Sequence, residues 1–450
     1  MARLPRRPSL LRAQPADREI LRLALPALGA LVAEPVFLLA DSAIVGHLGT
    51  AQLAGLGVAG TVLSTFVNVA VFLAYGTTAA VARMLGAGDL RGALRQGVDG
   101  CWLALLVGAG TLVACWPATP WLVGLFSPPA DVAQHAETYL RISLIGLPFM
   151  LLVLAGTGIL RGLQDTRTPL VVAVAGAAGN VVLNVALVYG LGLGIAGSAI
   201  GTVLTQTAMA AAFGLVVARA ARHHGASLRP DWPGVRRSFR AGVPLVVRTV
   251  SMRVVLGVAT FVAARLGTAE LAAYQVAFTT WTFLALVLDA VAIAAQALVG
   301  RALGAGDVPG ARSTTRRMVE WGVLAGVGLG VVVAAIAPLY APLFTSDQQV
   351  RTILVAGLVA VAVLQPVAGW VFVLDGVLIG AGDGRYLAVA SMLSMLAFLP
   401  AAWLVARLQP AGGAGLVALW AAFGGWMLAR LATLALRERS ERWLVTGAVR

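Results

Sequence analysis

Twelve long apolar segments follow one another along the chain, separated by short connections that are rich in glycine, proline and charged residues. They lie at about 20–45, 54–82, 93–116, 136–160, 168–190 and 194–218, and then at about 241–263, 270–300, 313–336, 350–379, 386–405 and 414–436. A helix needs about 20 apolar residues to cross the hydrocarbon core of a bilayer. The pattern therefore predicts an all-α integral membrane protein with twelve transmembrane helices.

The second six segments repeat the first six at an offset of 218 residues. The stretch 83–89, RMLGAGD, aligns with 301–307, RALGAGD, and the stretch 48–54, LGTAQLA, aligns with 266–272, LGTAELA. Transporters are often built from such internal repeats, and six crossings return the chain to its starting side. We expect two six-helix bundles that are related by a pseudo-two-fold axis along the membrane normal.

These boundaries divide the chain into five parts. They are an N-terminal tail over 1–19, an N-lobe over 20–218, a linker over 219–240, a C-lobe over 241–436 and a C-terminal tail over 437–450. The two LGAGD stretches lack the Gly-Lys-Ser/Thr ending and the strand context of a phosphate-binding loop. They predict instead a tight turn with Asp89 or Asp307 near the start of the next helix.

Composition and charge agree with a membrane protein and indicate its orientation. The chain is 59% hydrophobic and 12% charged, whereas a soluble domain carries about 25% charged residues. All 33 basic residues are arginine, and they gather in the tails, the linker and every second connection. This positive-inside asymmetry predicts cytoplasmic termini in the plasma (cell inner) membrane. It argues against nucleic-acid binding, which needs basic residues on one soluble face.

Residue types that would indicate an enzyme or a cofactor are sparse. Cys101 and Cys115 lie in one apolar segment and indicate small core residues rather than a disulfide or metal pair. The four histidines have no metal-ligand spacing with acids or cysteines. We therefore expect neither an enzyme nor a cofactor.

Ionisable residues inside a bilayer usually mark ion or substrate pathways. The first apolar segment carries Glu34 and Asp41, which are seven residues apart and so lie on one face of a helix. Pro35 lies between them, and Pro26 precedes them. Because proline removes a backbone hydrogen bond, both prolines are candidate hinges. The alternative is a structural acid that is permanently hydrogen-bonded.

Polar residues in the fifth and sixth segments fall at the depth of Asp41. Asn180 and Asn184 are four apart on one helix face, and Thr202 lies at a similar level on the next helix. Together these residues predict an oxygen-rich site for a proton or a sodium ion. The alternative is a hydrogen-bonded cluster that only joins helices. At an offset of 218 residues, Asp41, Asn180 and Asn184 correspond to Ala259, Phe398 and Ala402, so the C-lobe lacks this set.

The C-lobe has its own ionisable residues within the apolar segments, which are Arg248, Arg253, Asp289 and Asp375. Buried opposite charges usually pair. We expect a structural network between these arginines and aspartates, and the alternative is a substrate or proton site.

Several of these stretches resemble one known family. The run 35–49, PVFLLADSAIVGHLG, resembles the first helix of the MATE (multidrug and toxic compound extrusion) transporters of the DinF-like branch, and so do 288–300 and 375–383. The likeness covers essentially all of 20–436. It implies a V-shaped pair of six-helix bundles that exports amphipathic, often cationic compounds in exchange for H⁺ or Na⁺.

The same resemblance implies roles for individual residues. Asp41 matches the coupling acid of the family, and Asn180, Asn184 and Thr202 match its neighbours. Some relatives have a second aspartate where this chain has Asn184, and one carboxylate fewer favours H⁺ over Na⁺.

The functional hypothesis is a cation-coupled secondary antiporter, acting as a monomer in the lipid bilayer on a cationic, amphipathic small molecule. Two alternatives stay open. One is an organic-anion exporter that uses Arg248 and Arg253, and the other is a flippase for lipids or envelope precursors.

Overall fold

The computed structural model describes residues 15–449, and these are almost entirely helical. In the first half the helices are α1 (Pro15–Gly46), α2 (Thr50–Ala70), α3 (Phe72–Gly86), α4 (Leu90–Cys115), α5 (Thr119–Gly124), α6 (Ala130–Gly162), α7 (Arg167–Val185) and α8 (Gly194–His223). In the second half they are α9 (Trp232–Leu266), α10 (Thr268–Gly304), α11 (Val308–Tyr340), α12 (Gln348–Gly380), α13 (Gly384–Leu408) and α14 (Gly413–Arg439). A π-helical turn, Ala186–Gly190, follows α7.

Twelve helical segments of the described chain are long and apolar enough to cross a membrane, with α2 and α3 forming one of them. The predicted fold class is confirmed. Several helices extend past the predicted segments, because apolarity marks only the part of a helix that lies in the bilayer. Residues 15–19 and 437–439 are helical, and only 224–231 separate α8 from α9. Residues 1–14, which make up most of the predicted N-terminal tail, lie outside the described residues.

The 218-residue repeat extends to the backbone. Gly49 and Gly267 precede equivalent helices with φ of 146° and 147°, a conformation that glycine adopts readily and other residues rarely. Asp89 caps α4 and Asp307 caps α11, each accepting a hydrogen bond from the backbone N–H three residues on, at 2.7 and 2.8 Å. The tight turns predicted for the two LGAGD stretches are present, and these N-caps explain why aspartate follows the glycine.

The two lobes are joined in one half of the bundle. We call the end at which α1 begins and α14 ends the terminal face, and the opposite end the distal face. Most hydrogen bonds between the lobes lie in the terminal half. They include bonds from Arg83 to the carbonyls of Ala381 and Val445, from Gln296 to the carbonyl of Tyr75, from Arg301 to Gln164 and Glu19, and from Arg317 to Asp17.

Near the terminal face, α3 and α10 cross so closely that only glycine fits. A Cβ atom on Gly86 would lie 1.9 Å from the carbonyl oxygen of Arg301, and one on Gly304 would lie 1.9 Å from that of Arg83. Gly304 is the repeat counterpart of Gly86, and Arg301 is the counterpart of Arg83, so the two contacts are equivalent. The crossing is therefore reciprocal about the pseudo-two-fold axis.

Hydrogen bonds between the lobes become sparse toward the distal face. Asn68 on α2 accepts a hydrogen bond from Arg253 on α9, so this face of α2 is directed at the C-lobe. The same face carries exposed residues farther toward the distal end, which are Gly57, Thr61, Ser64 and Thr65. On α9 the residues in line with Arg253 are also exposed, which are Gly257, Thr260 and Ala264. We call the open space between these two faces the central cleft.

Replacing Gly304 with leucine should prevent the lobes from meeting. The new side chain would collide with the carbonyl of Arg83, and such overpacking costs about 1–3 kcal/mol or more. We expect a lower melting temperature in detergent and a loss of transport in proteoliposomes. The control is Gly328→Leu, because a Cβ atom there meets nothing within 4 Å among the described residues. Equal behaviour of the two variants would contradict the crossing as described.

Candidate functional site

The carboxylate of Asp41 lies inside the N-lobe, in the distal part of α1, and only 3% of the residue is exposed. It accepts three hydrogen bonds from three other helical elements. Asn184 Nδ2 donates to Oδ1 at 2.8 Å, Tyr139 OH donates to Oδ2 at 3.2 Å, and Ser198 Oγ donates to Oδ1. These donors satisfy an ionised carboxylate in a place that bulk water does not reach, as a buried charge requires.

A second layer of polar groups supports the first. Asn184 Nδ2 also donates to Asn180 Oδ1 at 3.0 Å, and Asn180 Nδ2 donates to Thr202 Oγ1 at 3.2 Å. Both asparagines are fully buried. The four residues predicted from the sequence are thus brought together, although Thr202 reaches Asp41 through the two amides. The Oδ1 atom of Asn184 is buried and has no hydrogen-bond donor among the described residues.

The end of α7 holds this cluster against α1. The π-helical turn Ala186–Gly190 begins two residues after Asn184, and such turns are frequent at functional sites. Within it, Tyr189 OH donates to the carbonyl of Ile44 at 2.6 Å. The turn therefore ties the distal end of α1 to the helix that carries both asparagines.

Two members of the site, Tyr139 and Ser198, were not predicted. Ser198 lies four residues before Thr202, so the same spacing rule that links Asn180 with Asn184 was available to find it. Tyr139 is 98 residues from Asp41 in sequence. No local pattern connects the two, and only the packing of α6 brings them together.

Glu34 does not belong to this cluster, which corrects its predicted place beside Asp41. Its side chain is exposed and has no hydrogen-bond or ion-pair partner in residues 15–449. Although the two acids share a helix face, α1 packs against the lobe around Asp41 and is exposed around Glu34. The helix continues without a break through Pro26 and Pro35, so the predicted hinge stays a prediction.

The equivalent place in the C-lobe is a packed apolar core. The residues that correspond to Asp41, Tyr139, Asn180, Asn184, Ser198 and Thr202 are Ala259, Gly357, Phe398, Ala402, Leu416 and Trp420. All six are buried. Glycine replaces tyrosine because the space is taken, since a Cβ atom at Gly357 would lie 2.7 Å from Leu416. The same backbone therefore folds without a polar site.

The predicted charge network of the C-lobe forms in part. Arg248 pairs with Asp375 through Nε at 3.2 Å and also through Nη2, and both residues are buried. Arg430, which was not predicted, approaches the same carboxylate at 3.5 Å. Arg248 also lies over the ring of Tyr75, 5.8 Å from its centre.

Arg253 does not join this network, which corrects that part of the prediction. Arg253 donates to Asn68 of the N-lobe. Five residues separate it from Arg248, which places it about 140° around the helix. Asp289 interacts electrostatically with Arg161 and Arg248, but it forms no ion pair within 4 Å in the described part of the chain.

Two matched six-helix bundles, a cleft between them and a buried carboxylate held by neutral donors in one bundle are typical of a secondary transporter. Comparisons with known proteins specify the family. The MatE family model matches residues 26–189 and 244–404. The chain is 31% identical over 433 residues to Protein DETOXIFICATION 44, chloroplastic, of Arabidopsis thaliana, covering 93% of this chain and 81% of that protein.

Two further comparisons agree. The chain is 30% identical over 400 residues to DNA damage-inducible protein F of Escherichia coli K12, covering 86% of this chain and 87% of that protein. A MOP superfamily transporter from Pyrococcus furiosus shares the fold with a TM-score of 0.85 at 23% identity, covering 96% and 98% of the two chains. The protein belongs to the MATE family, and it is a membrane transporter rather than an enzyme.

Replacing Asp375 with asparagine should destabilise the C-lobe. The change leaves Arg248 and Arg430 without their carboxylate, and breaking a buried ion pair costs about 3–5 kcal/mol. Thermal unfolding in detergent measures the loss. Asp289→Asn is the matched control and should cost less, because Asp289 has no ion pair within 4 Å among the described residues. Equal losses would contradict the assigned pairing.

Proposed function

We propose that the protein is a proton-coupled antiporter that exports amphipathic, cationic compounds by alternating access, with Asp41 as the coupling group. The observation that carries the proposal is the buried carboxylate of Asp41, which accepts hydrogen bonds from three other helical elements and whose counterpart in the C-lobe is Ala259. Ionisable groups within a membrane-spanning bundle are typical of proton relays. An apolar core occupies the equivalent place in the C-lobe, so helix packing does not require this polar cluster.

The hydrogen-bond chemistry of the site suits two protonation states. Ser198 and Tyr139 carry hydroxyl groups, which can donate or accept. When Asp41 is ionised both donate to it, and when it is protonated one of them can accept its proton. The amide of Asn184 can only donate through Nδ2, so protonation weakens this bond and loosens α1 from α7. Pro26 and Pro35 then supply the places at which α1 bends.

The arrangement supports H⁺ more than Na⁺ as the coupling ion. Na⁺ requires oxygen ligands, as hard cations do, and the atom that Asn184 directs at Asp41 is a donor nitrogen. Asp41 is the one acid of the cluster, so a sodium ion would meet a single carboxylate. Na⁺ coupling is the runner-up and would require both asparagine amides to turn.

The state of the lobes fits the release step of export. They are joined at the terminal face and apart at the distal face. If the arginine asymmetry places the terminal face in the cytoplasm, the central cleft opens outward. Glu34, exposed on α1 near mid-membrane, supplies a negative charge for a cationic substrate. The name of the Arabidopsis relative, DETOXIFICATION, agrees with the export of toxic compounds.

Asp41→Asn should abolish export driven by a pH gradient, because an amide cannot take up and release the proton. The measurement is the transport of a fluorescent organic cation in proteoliposomes, with circular dichroism and elution volume to establish folding. The control is Asp131→Asn, an exposed acid at the start of α6. Full activity of the Asp41 variant would refute the proposed role.

Asn184→Asp should add a response to sodium. A second carboxylate beside Asp41 supplies both the charge and the oxygen ligands that the present site lacks for Na⁺. We expect an imposed Na⁺ gradient to drive export in the variant and to have little effect in the parent protein, with a K⁺ gradient as the control. If Na⁺ already drives the parent protein as well as a pH gradient does, the preference for H⁺ is wrong.

A further inference from the structure

Arg253 differs from the other arginines near the middle of the membrane. Arg248 and Arg430 share the carboxylate of Asp375, whereas Arg253 has no carboxylate within 4 Å among the described residues. Its side chain is exposed and donates one hydrogen bond to the amide oxygen of Asn68. An arginine at this depth is costly, and it is tolerated where it faces a water-filled cavity.

The surroundings of Arg253 place it in the central cleft. In line with it on α9, Gly257 and Thr260 are exposed, and a Cβ atom on Gly257 would meet nothing within 4 Å in residues 15–449. Across the cleft, the hydroxyls of Thr61 and Thr65 donate to carbonyls of their own helix at 2.8 Å. Because these hydroxyl hydrogens are already used, the two threonines can only accept further hydrogen bonds. The guanidinium of Arg253 is therefore the group here that can donate to a bound anion.

The repeat shows that packing does not require a charge at this position. Arg253 corresponds to Pro35 on α1, and Asn68 corresponds to Leu286 on α10. The repeat counterparts of this arginine and asparagine are thus both apolar residues, Pro35 and Leu286. Glu34, next to Pro35, is exposed at the matching depth. The two equivalent helices therefore carry opposite exposed charges, a carboxylate on α1 and a guanidinium on α9.

We propose that Arg253 is a subsite for an anionic group of the exported compound, a carboxylate or a sulfonate. Of the five N–H donors of a guanidinium, one is bonded to Asn68 here, and a carboxylate can be held by two of them at once. The anionic group displaces Asn68, while the cationic part of the same compound extends toward the exposed carboxylate of Glu34 on α1. This inference rests on the proposed export function, and it predicts a preference for zwitterionic over purely cationic compounds.

Two rhodamine dyes provide a matched pair of probes, because one has a free carboxylate and the other differs only in being its methyl ester. Equilibrium binding to the purified protein, followed by fluorescence polarisation, needs no ion gradient. Losing a hydrogen bond to a charged group weakens binding roughly ten- to hundredfold. We expect this loss for the free acid in Arg253→Gln and a smaller change for the ester. Arg253→Lys should retain most of the binding.

Arg265→Gln is the control, since it removes an exposed arginine twelve residues farther along the same helix, and it should bind both dyes as the parent protein does. The inference is overturned if Arg253→Gln loses both dyes alike or neither, or if the parent protein binds only the ester. Failure of proton coupling is recognised separately, as unchanged export by the Asp41→Asn variant.

Discussion

The close crossing of α3 and α10 determines how the two lobes can be arranged. Within a bilayer the hydrophobic effect contributes little to helix association, so helices associate by close packing and by polar contacts. Here Gly86 and Gly304 bring the two backbones together, and the cross-lobe ionic contacts of the terminal half surround that point. Because most of the contact lies at one end, the lobes can separate more easily at the other. The central cleft is a consequence of where the glycines lie.

Three charged residues within the membrane are accommodated in different ways, and the differences separate structural charges from functional ones. Asp375 is paired with two buried arginines, which is expected of a fixed ionic contact. Asp41 is held by neutral donors alone, so its charge can disappear without leaving an unpaired cation behind. Arg253 is held by one amide beside an open cleft. The arrangement around Asp41 suits a proton switch, and the arrangement around Arg253 suits the binding of a charged group.

The sequence carried enough information for the fold and for four of the six residues of the Asp41 site. Apolar length predicted the twelve spans, and the repeat predicted the two bundles, because both depend on the bilayer thickness and on gene duplication rather than on side-chain detail. Spacing of four residues found Asn180 and Asn184. The contact between Tyr139 and Asp41 depends on how α6 packs, which no local pattern encodes. Grouping Arg253 with Arg248 failed because the two point to different sides of one helix.

Comparison of α1 with α9 indicates how coupling and recognition are divided. Position 35 on α1 is a proline and its counterpart on α9 is Arg253, so α1 has a second internal proline where α9 has a fixed charge. Asp41 and Arg253 lie in different lobes, and no polar chain between them is found in the described residues. An effect of one on the other must then pass through the relative position of the lobes, which both can bias. The hydrogen bond from Arg253 to Asn68 joins the lobes beyond the terminal half, so a substrate that displaces Asn68 alters the equilibrium on which Asp41 also acts.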